Sequence, residues 1–398
     1  MSPAPPALDE FRAEIRAWCR DHVPAGWRAA QTGATDDEFV AFQKQWFQEL
    51  RSAGYAVPHW PKQWGGGMSV PEQVVLYQEL AAHDAPRLVL PFVSIHHAAS
   101  TLLAAGTDEQ RRRHLPAILD GEIWCQGFSE PGAGSDMAAL ATTARRNGDH
   151  YIVDGQKLWA SGAVHADRCL LLARTDPGAP KRRGISYFLM DMSSPGIEVR
   201  PIRQATGESH FCEIFLEGVV VPEADRVGAE NDGWKIAQET LGAERGMTML
   251  ELAERLGTGG FGRLVALCAR PGPDGTVPLD DPVVADRLAA LETEIAGLRA
   301  LCADFVADDR PGPADASIVK LYYSELLQRT TDFGAEVAGL AAHTELRKPL
   351  SSGWESGMWV LDFIGSWEWT IPGGTSEIQR TIIGERGLGL PHEPRSAT

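Results

Sequence analysis

The sequence predicts an α+β chain built in three successive parts: helices, then short strands, then helices. Three observations carry this. Apolar residues recur at helical spacing up to about residue 121. From about 122 to 229 the period drops to two, and Gly, Pro, Asp and Asn punctuate it as in a small antiparallel barrel or sandwich. From about 230 long, near-heptad apolar stripes return. The expected domains are therefore 1–121, 122–229 and 230–398. No βαβ alternation and no strand–GxGxxG–helix unit occurs, which speaks against a dinucleotide-binding doubly wound sheet.

In chain order, Leu8, Phe11, Ile15, Trp18 and Cys19 share one helical face over 8–22, and Pro24 and Gly26 stop that helix. Phe39, Phe42, Trp46, Phe47 and Leu50 form a second stripe, ended by Gly54. The segment Trp60–Gly67 holds three glycines without the Lys-Ser/Thr of a phosphate-binding loop, so it is read as a helix connection. Helices are expected again at 71–83, 91–105 and 108–119. His96 and His97 are adjacent and point to different helix faces, as packed or solvated residues rather than as a ligand pair. Strands are expected at Cys169–Ala173, Ile185–Met190, Ile197–Pro201, Phe211–Leu216 and Val219–Val221. Helical pattern resumes over 234–258, 283–306, 314–341 and 376–385, with a Pro/Gly loop from Pro271 to Pro278.

The chain has 398 residues, 43% of them hydrophobic, which is ordinary globular material for two or three compact units. A formal charge of −17 argues against nucleic acid or an anionic membrane as partner. The six cysteines are scattered, without Cys-x-x-Cys or zinc spacing, and read as buried or half-buried thiols in a reducing compartment. The first residues have no apolar signal-peptide core and no run approaches a membrane span, so a cytoplasmic location is expected.

The stretch Phe128–Gly162 organises the rest. Ser129-Glu130-Pro131-Gly132-Ala133-Gly134-Ser135-Asp136 is a loop by composition. Alternating residues around Tyr151 and Val153 lead to Asp154-Gly155, a type I′ hairpin signal, and then to Lys157-Leu158-Trp159-Ala160-Ser161-Gly162. By chemistry alone this is either a surface loop followed by a hairpin, or a holder for a flat polar ring. In the second case N–H groups and Ser129 would meet the ring's edge, Trp159 its face and Ser161 a ring nitrogen.

These residues, together with Ile371-Pro372-Gly373-Gly374-Thr375-Ser376-Glu377-Ile378-Gln379-Arg380, resemble the acyl-CoA dehydrogenase family over nearly the whole chain. The resemblance implies an α-helical N-terminal domain, a middle antiparallel β-barrel and a C-terminal four-helix bundle, with FAD as cofactor. It also implies an acyl-CoA substrate, electron-transfer flavoprotein as electron acceptor, and a homodimer, homotetramer or heterotetramer with a related subunit. In this family a glutamate removes the α-proton of the thioester while a hydride leaves the β-carbon for the flavin. The commonest pattern places that glutamate directly before Gly-Thr, where this chain has Gly373. A second pattern, found in isovaleryl- and long-chain-type members and in bacterial steroid side-chain dehydrogenases, places it before an arginine on the first helix after the barrel. Glu244-Arg245 stands there, so the resemblance implies Glu244 as base and Arg245 as a substrate-side arginine.

Position by position it further implies that Gln126, Phe128, Ser129 and Ser135 contact flavin and acyl chain, and that Trp159, Ala160 and Ser161 lie over the flavin ring. Thr375 and Glu377 correspond to pyrophosphate and ribose contacts, and Gly373 and Gly374 to the substrate side, with the Gly373 N–H at the thioester oxygen. Arg270 fits the arginine of an Arg-x-x-Phe-Gly segment that reaches a neighbouring subunit's flavin, but Pro273 takes the aromatic position. Of a Gln-x-x-Gly-Gly segment only Glu336-Val337-Ala338-Gly339 remains. These departures concern the adenosine half of FAD and the subunit interface. Two alternatives stay open: an oxidase or carrier-protein-thioester relative, and a subunit of a mixed assembly that contributes part of a flavin site.

Overall fold

The structure, a computed structural model, describes residues 6–272, 274–307, 312, 314–344 and 347–392, with only the backbone described at 6, 243–247 and 341. The chain divides into two compact units, one of Met1–Ala34, Gly67–Arg87 and Arg245–Thr398, the other of Thr35–Gly66 and Leu88–Glu244.

The second unit holds α3 (Asp36–Ser52), which follows α1 (Pro6–His22) and α2 (Trp27–Gln31) and precedes α4 (Val70–Ala82) in the sequence. A capping box starts α3: Thr35 accepts from the Glu38 N–H, and the Glu38 carboxylate accepts from the Thr35 N–H. The same device, Thr107 with Gln110, starts α6 (Asp108–Leu119). The helix expected over 91–105 is a π-helical stretch, Val93–Ala98, running into α5 (Ala99–Ala105). The carbonyl of Ile95 accepts the Trp60 indole N–H at 2.9 Å.

Eight strands follow in this unit: β1 (Trp124–Gly127), β2 (Thr143–Asn147), β3 (His150–Ser161), β4 (Arg168–Arg174), β5 (Ile185–Asp191), β6 (Ile197–Ile202), β7 (Phe211–Pro222) and β8 (Arg226–Val227). They form one sheet in the order β6-β7-β3-β2-β4-β5-β8, with β1 pairing β4. Most pairs are antiparallel, as expected, but β1–β4 and the single β2–β4 pair are parallel. Inward residues of β1 to β5 and β7 converge on one core, among them Cys125, Tyr151, Val153, Ala160, Leu171, Phe188, Ile214 and Val221.

The hairpin expected at Asp154-Gly155 is not there. The β2–β3 turn lies between Asn147 and His150, and Asp154-Gly155 sits inside β3 at a register shift against β7. At Gly155 (φ 155°) a Cβ would stand 2.4 Å from the Thr142 hydroxyl, so the glycine serves a bulge and a close approach rather than a turn. The two runs expected at 211–216 and 219–221 are one strand, β7, passing through Gly218 at φ 63°.

Helix α7 (Gly233–Arg255) continues through a π-helical stretch, Leu256–Gly260, into α8 (Phe261–Cys268). The first unit takes the C-terminal part of α7 with α8, α9 (Pro282–Ala307), α10 (Asp315–Ala338), α11 (Trp359–Ser366) and α12 (Ser376–Ile382), alongside α1, α2 and α4. Arg12 of α1 donates to the buried carboxylate of Glu79 on α4 at 3.0 Å, as does Arg16. Gly334 of α10 lies against Trp359 so closely that a Cβ would fall 2.0 Å from its ring. Helix α11 was not expected from the sequence. All six cysteines are free and buried. Among the described residues no helix is long and apolar enough to cross a membrane.

Candidate active site

Strand β1 carries Gln126 and delivers the chain to Phe128 and Ser129 at its end. Pairing of Gln126 with Leu170 fixes the backbone there. Phe128 is buried with its ring edge-on to Tyr187, centroids 5.6 Å apart. Two hydrogen bonds tie the loop that follows to β3: the Leu158 N–H donates to the Ser129 carbonyl at 2.9 Å, and Lys157 Nζ donates to the Phe128 carbonyl at 3.3 Å.

A buried ion pair anchors the same loop. Lys157 Nζ lies 2.7 Å from Glu130 Oε1, and the Glu130 carboxylate also accepts the N–H groups of Ala141 (2.6 Å) and Thr142 (3.0 Å). Burial pushes the Glu130 carboxyl up, but the Lys157 charge and hydrogen bond, with those of Thr142 and Ala141, outweigh it and hold the group below its ordinary value. Burial pulls Lys157 down, and Glu130 only partly restores it. With every oxygen engaged, the pair fixes both ends of the loop from Glu130 to Thr142 on β3.

Trp159 follows two residues on. It has φ 63°, in the left-handed region that bulky side chains rarely adopt, and it stands at the second register shift of β3 against β7. Its indole is 54% exposed and meets the edge of Phe211, centroids 6.1 Å apart. Ala160 turns into the sheet core and Ser161 is half-buried. The bulge thus presents a large flat apolar face outward beside a hydroxyl. Backbone strain of this kind persists where the surroundings over-determine it, and it marks functional segments.

The structure therefore brings Gln126, Phe128, Ser129, Trp159, Ala160 and Ser161 into one neighbourhood. Ser135 lies farther along the loop and is exposed. Gly132 and Gly134 have no atom within 4 Å of where a Cβ would sit, so packing within this chain does not require glycine there, and the backbone is open to approach. An exposed indole face, two hydroxyls, an amide and an open glycine loop are a donor set that fits an isoalloxazine ring. FAD would be held here by Ser129, Trp159 and Ser161.

The C-terminal segment belongs to the other unit. Gly373 (φ 65°) and Gly374 (φ 102°) both lie in the left-handed region. Gln379 Nε2 donates to the carbonyls of Gly373 (2.8 Å) and Gly374 (2.9 Å), and the buried Lys320 ammonium donates to that of Gly374 at 2.9 Å. Thr375 caps α12, its hydroxyl accepting the Ile378 N–H at 3.3 Å, and Glu377 is exposed in the first turn. Arg270 is exposed beyond the end of α8, and Pro273 lies outside the described residues. Glu336 is exposed near the end of α10 and pairs with Arg287, and Gly339 (φ 59°) caps that helix.

Helix α7 carries positions 244 and 245, but the side chains of Glu244 and Arg245 lie outside the described residues. The turn before them is pinned: the Thr240 hydroxyl is 2.7 Å from that of Thr101 on α5, and the Tyr187 hydroxyl completes a buried cluster. Two contacts of this neighbourhood were not read from the sequence: the ion pair of Lys157 with Glu130, and the packed His97, whose Nδ1 lies 2.9 Å from the side-chain oxygen of Gln126. A lysine on the inward-facing alternation of β3 demands a buried carboxylate, and that was the available signal. His97 gave none, because its bond to Gln126 is tertiary.

Comparison with known proteins agrees across the chain. Family models described as acyl-CoA dehydrogenase N-terminal, middle and C-terminal domain match residues 5–122, 125–219 and 231–388. Acyl-CoA dehydrogenase IpdE1 of Mycobacterium tuberculosis is 37% identical over 396 residues, covering 98% of this chain and 99% of that one. Of solved structures, the Tcur3481-Tcur3483 steroid ACAD is similar with a TM-score of 0.83 at 32% identity, covering 98% of this chain and 99% of that one. The ChsE4-ChsE5 complex from Mycobacterium tuberculosis is similar with a TM-score of 0.82 at 31% identity, covering 99% and 100%.

Proposed function

We propose, since this chain belongs to the acyl-CoA dehydrogenase family and is an FAD-dependent oxidoreductase of acyl-CoA, that it forms a trans-2-enoyl thioester with Glu244 as the base. FAD, when bound, accepts the hydride that leaves the β-carbon. The α-proton goes to the Glu244 carboxylate, and the electron pair of the broken α C–H bond becomes the new double bond. The α-carbon is a very weak acid, so the base must act while donors meet the developing charge on the thioester oxygen. The observation that carries this reading is the turn at Gly373. It has no side chain, and its backbone has a left-handed φ of 65° that disfavours one, whereas α7 offers a carboxylate at 244. Electrons leave by an electron-transfer flavoprotein.

The acyl group is bulky, of the steroid side-chain kind. Similarity to a structure named as a steroid ACAD supports this, and a glycine at 373 leaves the loop at 371–375 without a side chain there. In anaerobic mixing with acyl-CoA compounds, Glu244→Gln should slow flavin bleaching about 10²- to 10⁴-fold, with bulky cyclic acyl groups bleaching the parent faster than straight chains. A Glu244→Gln variant that bleaches at the parent rate removes the assignment.

A second reading, one subunit of a two-component assembly, is favoured because two of the similar solved structures carry the names of two components. Native mass and flavin count decide it: one FAD per chain in a homomer excludes it, and FAD retention only after a related chain is added supports it.

A further inference from the structure

His97 sits in the π-helical stretch, 4% exposed, with its Nδ1 2.9 Å from the side-chain oxygen of Gln126. Such stretches cluster at functional segments, because the wider turn redirects side chains and loosens the helical ladder. Both the ring and the backbone of His97 are held. Phe92 meets the ring edge-on at 5.4 Å, and the His97 carbonyl accepts the Thr101 hydroxyl at 2.8 Å, which joins the cluster with Thr240 and Tyr187. The Gln126 backbone is clamped by β4, so its remaining freedom is in the side chain.

With the amide oxygen toward the ring, Nδ1 carries the proton, and the NH2 of Gln126 is turned away from His97. Among the described residues no acceptor takes that NH2, and Gln126 is half-buried rather than sealed. It is a donor fixed in direction and open to an incoming acceptor.

We propose that His97 is a positioning residue: its Nδ1–H holds the Gln126 amide so that the NH2 meets an acceptor on the edge of the flavin ring. This rests on the reading of Gln126 as a flavin contact. An amide already fixed loses less side-chain freedom when the ring arrives, and it cannot flip to present its oxygen to the flavin's own acceptors.

The test is a double-mutant cycle on FAD affinity, measured by titrating the apoprotein with FAD, and on the position of the visible flavin band. Gln126→Ala and His97→Leu should each weaken FAD about three- to tenfold and shift the band, as expected for one lost hydrogen bond. His97→Asn, whose amide N–H falls near the place of Nδ1–H, should recover most of both. In the Gln126→Ala background, His97→Leu should add nothing. An equal loss in both backgrounds overturns the proposal, because His97 would then act through something other than Gln126. A Gln126→Ala variant with parental affinity and band overturns the flavin contact itself, and the proposal with it. If His97→Leu does not fold, His97→Gln, whose N–H falls near Nε2, replaces it: retention of parental values by His97→Gln but not by His97→Asn also overturns the proposal.

Discussion

Lys157 and Glu130 face each other at 2.7 Å in a place nearly closed to water, the lysine wholly buried and the glutamate 7% exposed. Neither charge is tolerable there alone. Lys157→Met should destabilise the protein by about 3–5 kcal/mol, because it leaves the carboxylate buried and unpaired. Adding Glu130→Gln should recover part of that loss, and urea unfolding of the two variants measures it. The sign with pH follows from the carboxyl. Its folded value lies below the unfolded one, so its contribution is complete above the unfolded value and fades as pH falls through the folded one. A parent whose margin over the double variant does not shrink on acidification contradicts this.

Trp159 separates stability from cofactor retention. Its left-handed φ of 63° costs a non-glycine residue of order 1–3 kcal/mol. Trp159→Gly should therefore leave the melting temperature unchanged or raise it, while FAD binds about three- to tenfold more weakly for want of the indole face. Loss of both together would mean that the indole holds the sheet rather than the flavin.

At Gly374 a Cβ would stand 2.6 Å from the Gln379 amide nitrogen, at a φ of 102°. Gly374→Ala should cost about 1–3 kcal/mol in urea unfolding, from strain and loss of the bonds that Gln379 makes. Gly132→Ala, with open space around its Cβ, should cost less. The reverse order would show that the brace at 373–374 is not strained by a side chain.

Asp362 is a buried carboxyl. Burial raises its pKa to about 6, against the opposing pull of Lys348 and the hydrogen bonds from Ser356 and Gly357. Because the folded value lies above the unfolded one, the native state holds the extra proton between about pH 4 and 6, and this group's contribution is lost as pH rises through that window. The stability of the parent relative to Asp362→Asn should fall by roughly 3 kcal/mol between those limits. A difference independent of pH there would place Asp362 in a more polar setting than its contacts indicate.

Local signals were legible where local physics decides. The stripe Phe39–Leu50 announces α3, and the α6 limits fall where the periodicity puts them. The turn was misread because the sequence offers two dipeptides of the same kind, Asn147-Gly148 and Asp154-Gly155. Only the pairing of β3 with both neighbours makes the second a bulge. The aromatic-hydroxyl segment at 157–162 was legible as part of a strand, but the left-handed Trp159 was not, since that φ is imposed by the register shift with β7. The π-helical stretches Val93–Ala98 and Leu256–Gly260 have no sequence pattern, and helix α11, set among Ser, Gly and Trp, forms by packing on α10, with Gly334 against Trp359.

The thiols provide a clock for each half of the molecule. Cys125, Cys169 and Cys212 are shut inside the sheet, whereas Cys19, Cys268 and Cys302 are shut inside the helical unit. An alkylating reagent therefore reaches three sites when one half breathes and the other three when its companion does. Mass spectrometry of the labelled peptides over time reads the two openings separately, without any engineered probe.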